Sequence, residues 1–331
     1  VIQGSSTYTI ANTSLTFTTA PANGAKIRIT RSTSQNARIN TYSENTILTS
    51  SQLNTDGDQS FMMSQEALDQ AGIQAKDVDA VILGTSHISR NYPAIACEVM
   101  DELGIEGYGY DMLIGCSSTT FAISNAYSDI ASGLADTVLV INPELTSPHN
   151  DFTLRDSHFI FGDACVATVV QKDSTSKNRA RILDRKLVTQ FSSNIRSDFG
   201  YLNRVEDPPK DKKDLFFKQN GKSVFKEVCP MVANLITDQL DRLDIEVSNI
   251  CQFWLHQANA NMCRVIMTRI LGTSDYDPNM APMILNEFGN VASAGSVLSY
   301  HLNNNLQKGE KGIICSFGAG YSICSLVIER T

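Results

Sequence analysis

Three residues far apart in the chain carry side chains suited to one kind of chemistry. In "DMLIGCSSTTFAISNA" (111–126) a cysteine, Cys116, follows a strand-like stretch and opens a helical one. Unpaired N–H groups and the positive end of the helix dipole at such a junction favour thiolate over thiol, as a nucleophile requires. His256 closes the apolar run "ICQFWLHQ" (250–257), at a strand's carboxyl end, where open α/β sheets place ligands. Asn290 lies in "FGNVASAGS", a turn leading into a helix of small residues. "SFGAG" (316–320) is a strand entering a glycine-rich turn, a device that aims backbone N–H groups at a developing oxyanion. Taken singly, each also suits a buried thiol, a satisfied histidine or an ordinary turn.

The elements that must position these residues alternate between two periodicities. Helical patterns are predicted over 62–73, 92–105 with Pro93 in the first turn, 119–135, 261–272 and 294–306. A long helix after residue 220 is expected to kink or restart near Pro230. Strands are expected at 78–86, 136–144, 165–171, 250–257, 311–320 and 321–330. Residues 172–220, centred on "EDPPKDKKD", read as a surface excursion between halves. "VDAVILGTS", "TVLVINPE" and "CVATVVQ" are echoed in order by "ICQFWLHQA", "GIICSFGAG" and "CSLVIER". That echo predicts two similar α/β halves, 36–175 and 176–331, with mostly parallel sheets covered by helices. Residues 1–35 differ: short β-branched runs and an Asn23-Gly24 pair read as a β-rich, hairpin-forming segment.

Composition excludes several classes. The chain has 331 residues, 42% hydrophobic and 19% charged, and a net charge of −8, with no Lys/Arg-rich block to suggest nucleic-acid binding. No apolar run is long enough to span a bilayer. Its eight cysteines form no CxxC and several fall in apolar strands, so free thiols in a reducing cytoplasm are expected, with no metal site.

The ordered set of Cys116, His256 in "HQAN", Asn290 in "GN", a terminal "FGAG" and "IFGDACVATVV" (160–170) resembles the β-ketoacyl-acyl carrier protein synthase III family of condensing enzymes, over about residues 60–330. The resemblance implies the thiolase fold, two duplicated α/β halves in five layers, and a homodimer. It implies an acyltransferase without a cofactor. Cys116 would take an acyl group from acyl-CoA, and malonyl-acyl carrier protein would lose CO2 and attack the resulting thioester. His256 and Asn290 would hold the enolate oxygen, and the N–H groups of Cys116 and Ala319 would form the oxyanion hole. His and Asn as donors, with no strong base beside them, suit a decarboxylating site.

The resemblance places Tyr92 (from the partner subunit), Phe161 and Phe317 around the acyl chain. It places Arg155, Arg31 and Asn259 on CoA, and Lys226 and Arg269 at the carrier-protein docking face. The family's usual Trp ahead of the early Arg is missing, and Trp254 is the only Trp. Residues 1–35 look like a module from another source. "SSTTFAIS" and "FGAGYS" resemble relatives that take medium-chain primers or build specialised metabolites. A related acyltransferase, a non-decarboxylating condensing enzyme or a non-catalytic partner subunit are the alternatives.

Overall fold

The structure, a computed structural model, describes residues 8–11, 14–17, 61, 63–153, 160–176, 179–198 and 215–331. The expected positions of Arg31 and Arg155 lie outside them, as does the Asn23-Gly24 pair. Two compact units are present, Val1–Ser34 and Gln35–Thr331. In the first, β1 (Tyr8–Ala11) pairs antiparallel with β2 (Ser14–Phe17).

The second unit holds two four-stranded sheets. The first has the order β4-β3-β5-β6, from β3 (Ala80–Thr85), β4 (Tyr108–Leu113), β5 (Thr137–Glu144) and β6 (Ala164–Gln171). β3 runs parallel to β4 and β5, and β6 is antiparallel to β5. The second sheet has the order β10-β11-β12-β7, from β7 (Ala180–Ser192), β10 (Ile250–Leu255), β11 (Lys311–Gly318) and β12 (Gly320–Arg330). β10 is parallel to β11, which is antiparallel to β12. β3-β5-β6 and β10-β11-β12 therefore repeat one motif in the same order and sense. A small ribbon, β8 (Ile195–Ser197) with β9 (Phe217–Gln219), completes the strands.

Three apolar clusters separate the layers. A helix over 63–71, labelled α1, and α2 (Ile95–Leu103) cover the outer face of the first sheet, around Leu68, Val81, Leu83, Val99 and Ile141. α3 (Ser118–Ser132) and α7 (Ala294–Asn303) fill the space between the sheets, where Ile82, Val140, Ala122, Val297, Trp254 and Leu326 meet. α4 (Gly221–Arg242) and α5 (Ala260–Leu271) cover the outer face of the second sheet. A short helix, α6 (Leu285–Phe288), precedes Asn290. Both β3 and β5 are almost wholly apolar because helices lie on both faces.

Three expectations need correction. Residues 172–220 hold β7, a thirteen-residue strand on the edge of the second sheet. Its polarity disguised it: Asp184 binds Gln239 and Arg242, and the Arg185 guanidinium bonds Ser128 and lies over the Tyr127 ring. α4 runs through Pro230 unbroken. Pro93 stands ahead of α2, whose first N–H groups, those of Ile95 and Ala96, go to the Asp111 carboxylate at 2.7 and 2.9 Å. None of the eight cysteines forms a disulfide, and no described helix is long and apolar enough to cross a membrane. Trp254 is fully buried, edge-on to Tyr300, in the central layer.

Candidate active site

β4 delivers Cys116 through a tight turn, Gly115–Ser117, immediately ahead of α3. Ser118 fixes this turn: its hydroxyl oxygen accepts from the Ile114 N–H at 2.9 Å and its proton faces the Thr85 and Gly115 carbonyls. The loop joining β11 to β12 lies against it. A Cβ on Gly318 would sit 2.6 Å from the Cys116 Cβ, so only glycine lets the strand pass this thiol so closely. Gly115, at φ +59°, meets Ala319 from the other side.

The Cys116 sulfur has three donors around it: the Ser86 hydroxyl and the backbone N–H groups of Ala319 and of Cys116 itself. These N–H groups are the two expected to form the oxyanion hole. The expectation of a thiolate is corrected. Burial pushes the thiol up to about 12, and the nearby Glu144 carboxylate adds to the rise. The helix dipole and three donors do not offset a buried site that already holds a negative charge.

His256 follows β10 directly, its N–H donating to the Cys315 carbonyl at 2.8 Å. Its ring is 2% exposed and stands edge-on to Phe317, centroids 5.1 Å apart. Burial lowers the imidazole to about 4, while the Ala292 carbonyl acts in the opposite direction. The ring is therefore neutral at physiological pH.

Asn290 is held by its backbone. Its N–H donates to the Ile160 carbonyl at 2.8 Å, and its own carbonyl accepts from the Gly162 N–H at 3.0 Å. This makes a parallel bridge with Phe161. The side-chain oxygen accepts from the Ala292 N–H at 3.1 Å. The amide orientation is thereby set, and Nδ2 is left as the donor.

Shared neighbours bring the three residues together. Gly318 lies against Cys116, Phe317, its neighbour in β11, packs on His256, and Ala292 contacts both His256 and Asn290. Thr119, three residues past Cys116, donates to the Ser293 carbonyl at 2.7 Å. The N-terminus of α3 is thus tied to the Asn290 loop.

The remaining expected residues scatter. Phe317 is 2% exposed, behind His256. Phe161 meets Phe217 edge-on at 4.8 Å, beside Asn290. Tyr92 is 83% exposed. A cleft of about 420 Å³ runs past Ala319, lined by Leu113, Ile114, Phe191 and Tyr321 among others, and none of the three expected acyl-chain residues lines it. Asn259 caps α5, accepting from the Asn261 and Met262 N–H groups at 2.8 and 3.4 Å. Lys226 and Arg269 are exposed on α4 and α5.

Sequence reading missed Glu144, Ser86 and Ser293. Glu144 is 1% exposed and burial raises it to about 7, against the lowering effect of hydrogen bonds from Ser293 and Ser86. A buried carboxyl group therefore acts on Cys116, which the expected site did not include. Its signal was available: an acidic residue ending the otherwise apolar run "TVLVINPE" stands where such sheets place their sites.

The family description "3-Oxoacyl-[acyl-carrier-protein (ACP)] synthase III" matches residues 110–190, and its C-terminal counterpart matches 240–330. A different description, "Phage T7 tail fibre protein, N-terminal domain", matches residues 2–79. That match spans the β-rich segment and runs on through α1, which packs within the second unit. The chain is 47% identical over 270 residues to the beta-ketodecanoyl-[acyl-carrier-protein] synthase of Pseudomonas aeruginosa, spanning 81% of this chain and 77% of that protein. It is 28% identical to beta-ketoacyl-[acyl-carrier-protein] synthase III 1 of Vibrio cholerae, spanning 83% and 84%. Among solved structures, the 3-oxoacyl-(acyl carrier protein) synthase III of Pseudomonas aeruginosa superposes with a TM-score of 0.70 at 24% identity, covering 83% of each chain. The priming β-ketosynthase of the R1128 polyketide pathway does so at 0.71 and 23%, covering 83% and 81%. These likenesses establish the fold as thiolase-like.

Proposed function

Because the chain belongs to the 3-oxoacyl-[acyl-carrier-protein] synthase III family, we propose that it is a condensing acyltransferase primed by a medium-chain acyl-CoA, with Cys116 as its nucleophile. The Cys116 sulfur attacks the acyl-CoA carbonyl, CoA leaves as its thiol, and an acyl-Cys116 thioester remains. Malonyl-acyl carrier protein then loses CO2. Its enolate carbon attacks the thioester and expels the Cys116 sulfur, giving 3-oxoacyl-acyl carrier protein. The Ala319 and Cys116 N–H groups receive the oxyanion of the acyl steps. Neutral His256 and the Asn290 Nδ2 hold the enolate oxygen. No cofactor takes part in these steps.

One observation carries the reading: a thiol beside two backbone N–H groups, joined through shared neighbours to an oriented amide and a neutral imidazole. The relative from Pseudomonas aeruginosa is named for a ten-carbon 3-oxo product. Malonyl contributes two of those carbons, which makes the primer octanoyl.

The enzyme works as a homodimer. β4 is the outer strand of its sheet, Leu113 on it is 49% exposed, and Asp111 ties it to the start of α2 beside Tyr92. A second copy across that edge would receive the Tyr92 ring. Lys226 and Arg269 meet the acidic carrier protein. CoA is held by Arg155 and Asn259. Eight cysteines outside any disulfide suit a cytoplasmic enzyme.

The test is incubation with acyl-CoAs of two to twelve carbons, read by intact-protein mass spectrometry. One acyl mass should be added, best with octanoyl-CoA, and none to Cys116→Ala. Equal labelling of the alanine variant would end the assignment.

A further inference from the structure

The turn from β11 into β12 is built from residues that give little to hold. Gly318 pairs with Ser322, which leaves Ala319, Gly320 and Tyr321 outside that pairing. The turn lies against the thiol: a methyl on Gly115, beside Cys116, would sit 3.2 Å from the Ala319 methyl and 3.8 Å from the Ala319 nitrogen. Ala319 has only that methyl and Gly320 has no side chain. Tyr321 is the one residue of the three with a polar group to anchor.

Tyr321 and Ser322 leave the strand on opposite faces. Inward, the Ser322 hydroxyl meets the Ser117 hydroxyl and lies 3.2 Å from the Ile114 carbonyl and 2.8 Å from the Ala319 carbonyl. It closes the turn on itself and onto the Cys116 turn. Outward, the Tyr321 ring is fully buried in the apolar layer that holds Val224 and Val228 of α4. Its hydroxyl donates to Glu227 Oε2 at 2.9 Å and accepts from Asn194 Nδ2 at 2.9 Å, so both its donor and an acceptor site are filled.

Both partners are fixed in turn. Glu227 stands on α4, and Asn194 Nδ2 also approaches its two oxygens at 3.3 and 3.4 Å. Asn194, between β7 and β8, accepts the Asn220 N–H on its carbonyl at 2.8 Å, and the Asn220 side chain caps α4 by accepting from the Ser223 N–H at 3.3 Å. Ring packing alone would be served by phenylalanine. What the hydroxyl adds is a tether from the Ala319 turn to α4 and to the loop after β7.

We propose that Tyr321 is a positioning residue for acylation: its hydroxyl, gripped by Glu227 and Asn194, holds the turn so that the Ala319 N–H meets the developing oxyanion. As the Cys116 sulfur adds to the acyl-CoA carbonyl, the C=O electron pair moves onto oxygen, and its return expels CoA. A donor serves that oxygen only while held within about 0.5 Å and 10–20° of its line. Ser322 secures the inner side of the turn, and Tyr321 sets its tilt from the outer side.

The proposal rests on Cys116 being the nucleophile. Two rates at Cys116 are compared by peptide mass: single-turnover acylation by octanoyl-CoA, and alkylation by iodoacetamide. Acylation passes through an oxyanion, whereas alkylation displaces iodide from carbon and does not. Tyr321→Phe should slow acylation about tenfold, less than the roughly 10²–10³-fold lost when an oxyanion donor is removed outright, and should leave alkylation at the wild-type rate. Glu227→Gln keeps an acceptor for the hydroxyl and should stay near wild type, while Glu227→Ala should share the selective loss. A merely structural tyrosine would lower the urea midpoint and slow both reactions together or neither. Wild-type acylation by Tyr321→Phe, or equal slowing of the two reactions, overturns the proposal. Should Tyr321→Phe fail to fold, a wild-type ratio of the two rates in folded Glu227→Ala overturns it alone. A wild-type protein that is alkylated at Cys116 but takes no acyl group there would instead sink the nucleophile assignment.

Discussion

Gly318→Ala is the sharpest probe of the nucleophile's setting. The added methyl would lie 2.6 Å from the Cys116 Cβ, 3.1 Å from its N and 3.2 Å from its Cα, whereas ordinary contact begins at 3.4 Å. All three are atoms of the nucleophile's own turn, so no flexible side-chain tip can give way. The carbons must part by roughly 1 Å, a misplacement that costs about a hundredfold in rate, or about 2.7 kcal/mol. Overpacking should cost about 1–3 kcal/mol of stability, leaving most of the protein folded. Gly318 needs no positive φ, so the variant isolates the steric effect. The assay is single-turnover acylation by octanoyl-CoA, quenched and read by mass spectrometry, beside a urea titration. Gly221→Ala, where nothing lies within 4 Å of the new methyl, is the control and should match wild type. A folded Gly318→Ala protein acylated at the wild-type rate would refute the close approach of the two loops.

Three further outcomes are expected. Asn290→Ala should retain acylation and lose most malonyl decarboxylation, followed as released CO2; equal loss of both half-reactions would contradict the division of roles. Asn259→Ala should lower stability by about 1 kcal/mol through loss of its helix cap, measured by urea midpoint, and a raised KM for acyl-CoA would add the CoA contact. Acid should destabilise the fold. His87, His149 and His256 have folded values of about 3, 4 and 4 against an ordinary 6.5, so the unfolded chain binds more protons below pH 6.5. Glu144, raised to about 7, opposes them by taking up its proton in the folded state below pH 7. With three groups against one, urea midpoints should fall from pH 6.5 toward pH 4, and His149→Asn should flatten that fall.

The strand pattern was legible because β3, β5, β10 and β11 are largely buried and read as mainly apolar runs. Cys116, His256 and Asn290 were legible because each interrupts such a run or turns out of it with a residue that the core does not need. β7 was not, because an edge strand can carry Asp184, Arg185 and Lys186 when helices supply their partners. Glu144 escaped because one acid at the end of an apolar strand also suits solvent; its five close donors come from Ser86, Ser293 and Thr85, which only the folded chain assembles. The thiol's rise was hidden for a like reason: the dipole is local and visible in sequence, while the burial that raises the thiol, and the lesser effect of the charge from residue 144, arise only in the folded chain.

The bridge between Phe161 and Asn290 would weld the proposed wall of the acyl site to the proposed donor for the second half-reaction. A primer too bulky for that wall would push on Phe161 and, through two backbone hydrogen bonds, turn the Asn290 amide off target. Chain-length discrimination would then register late: oversized primers load onto the sulfur and stall there, unable to recruit decarboxylation.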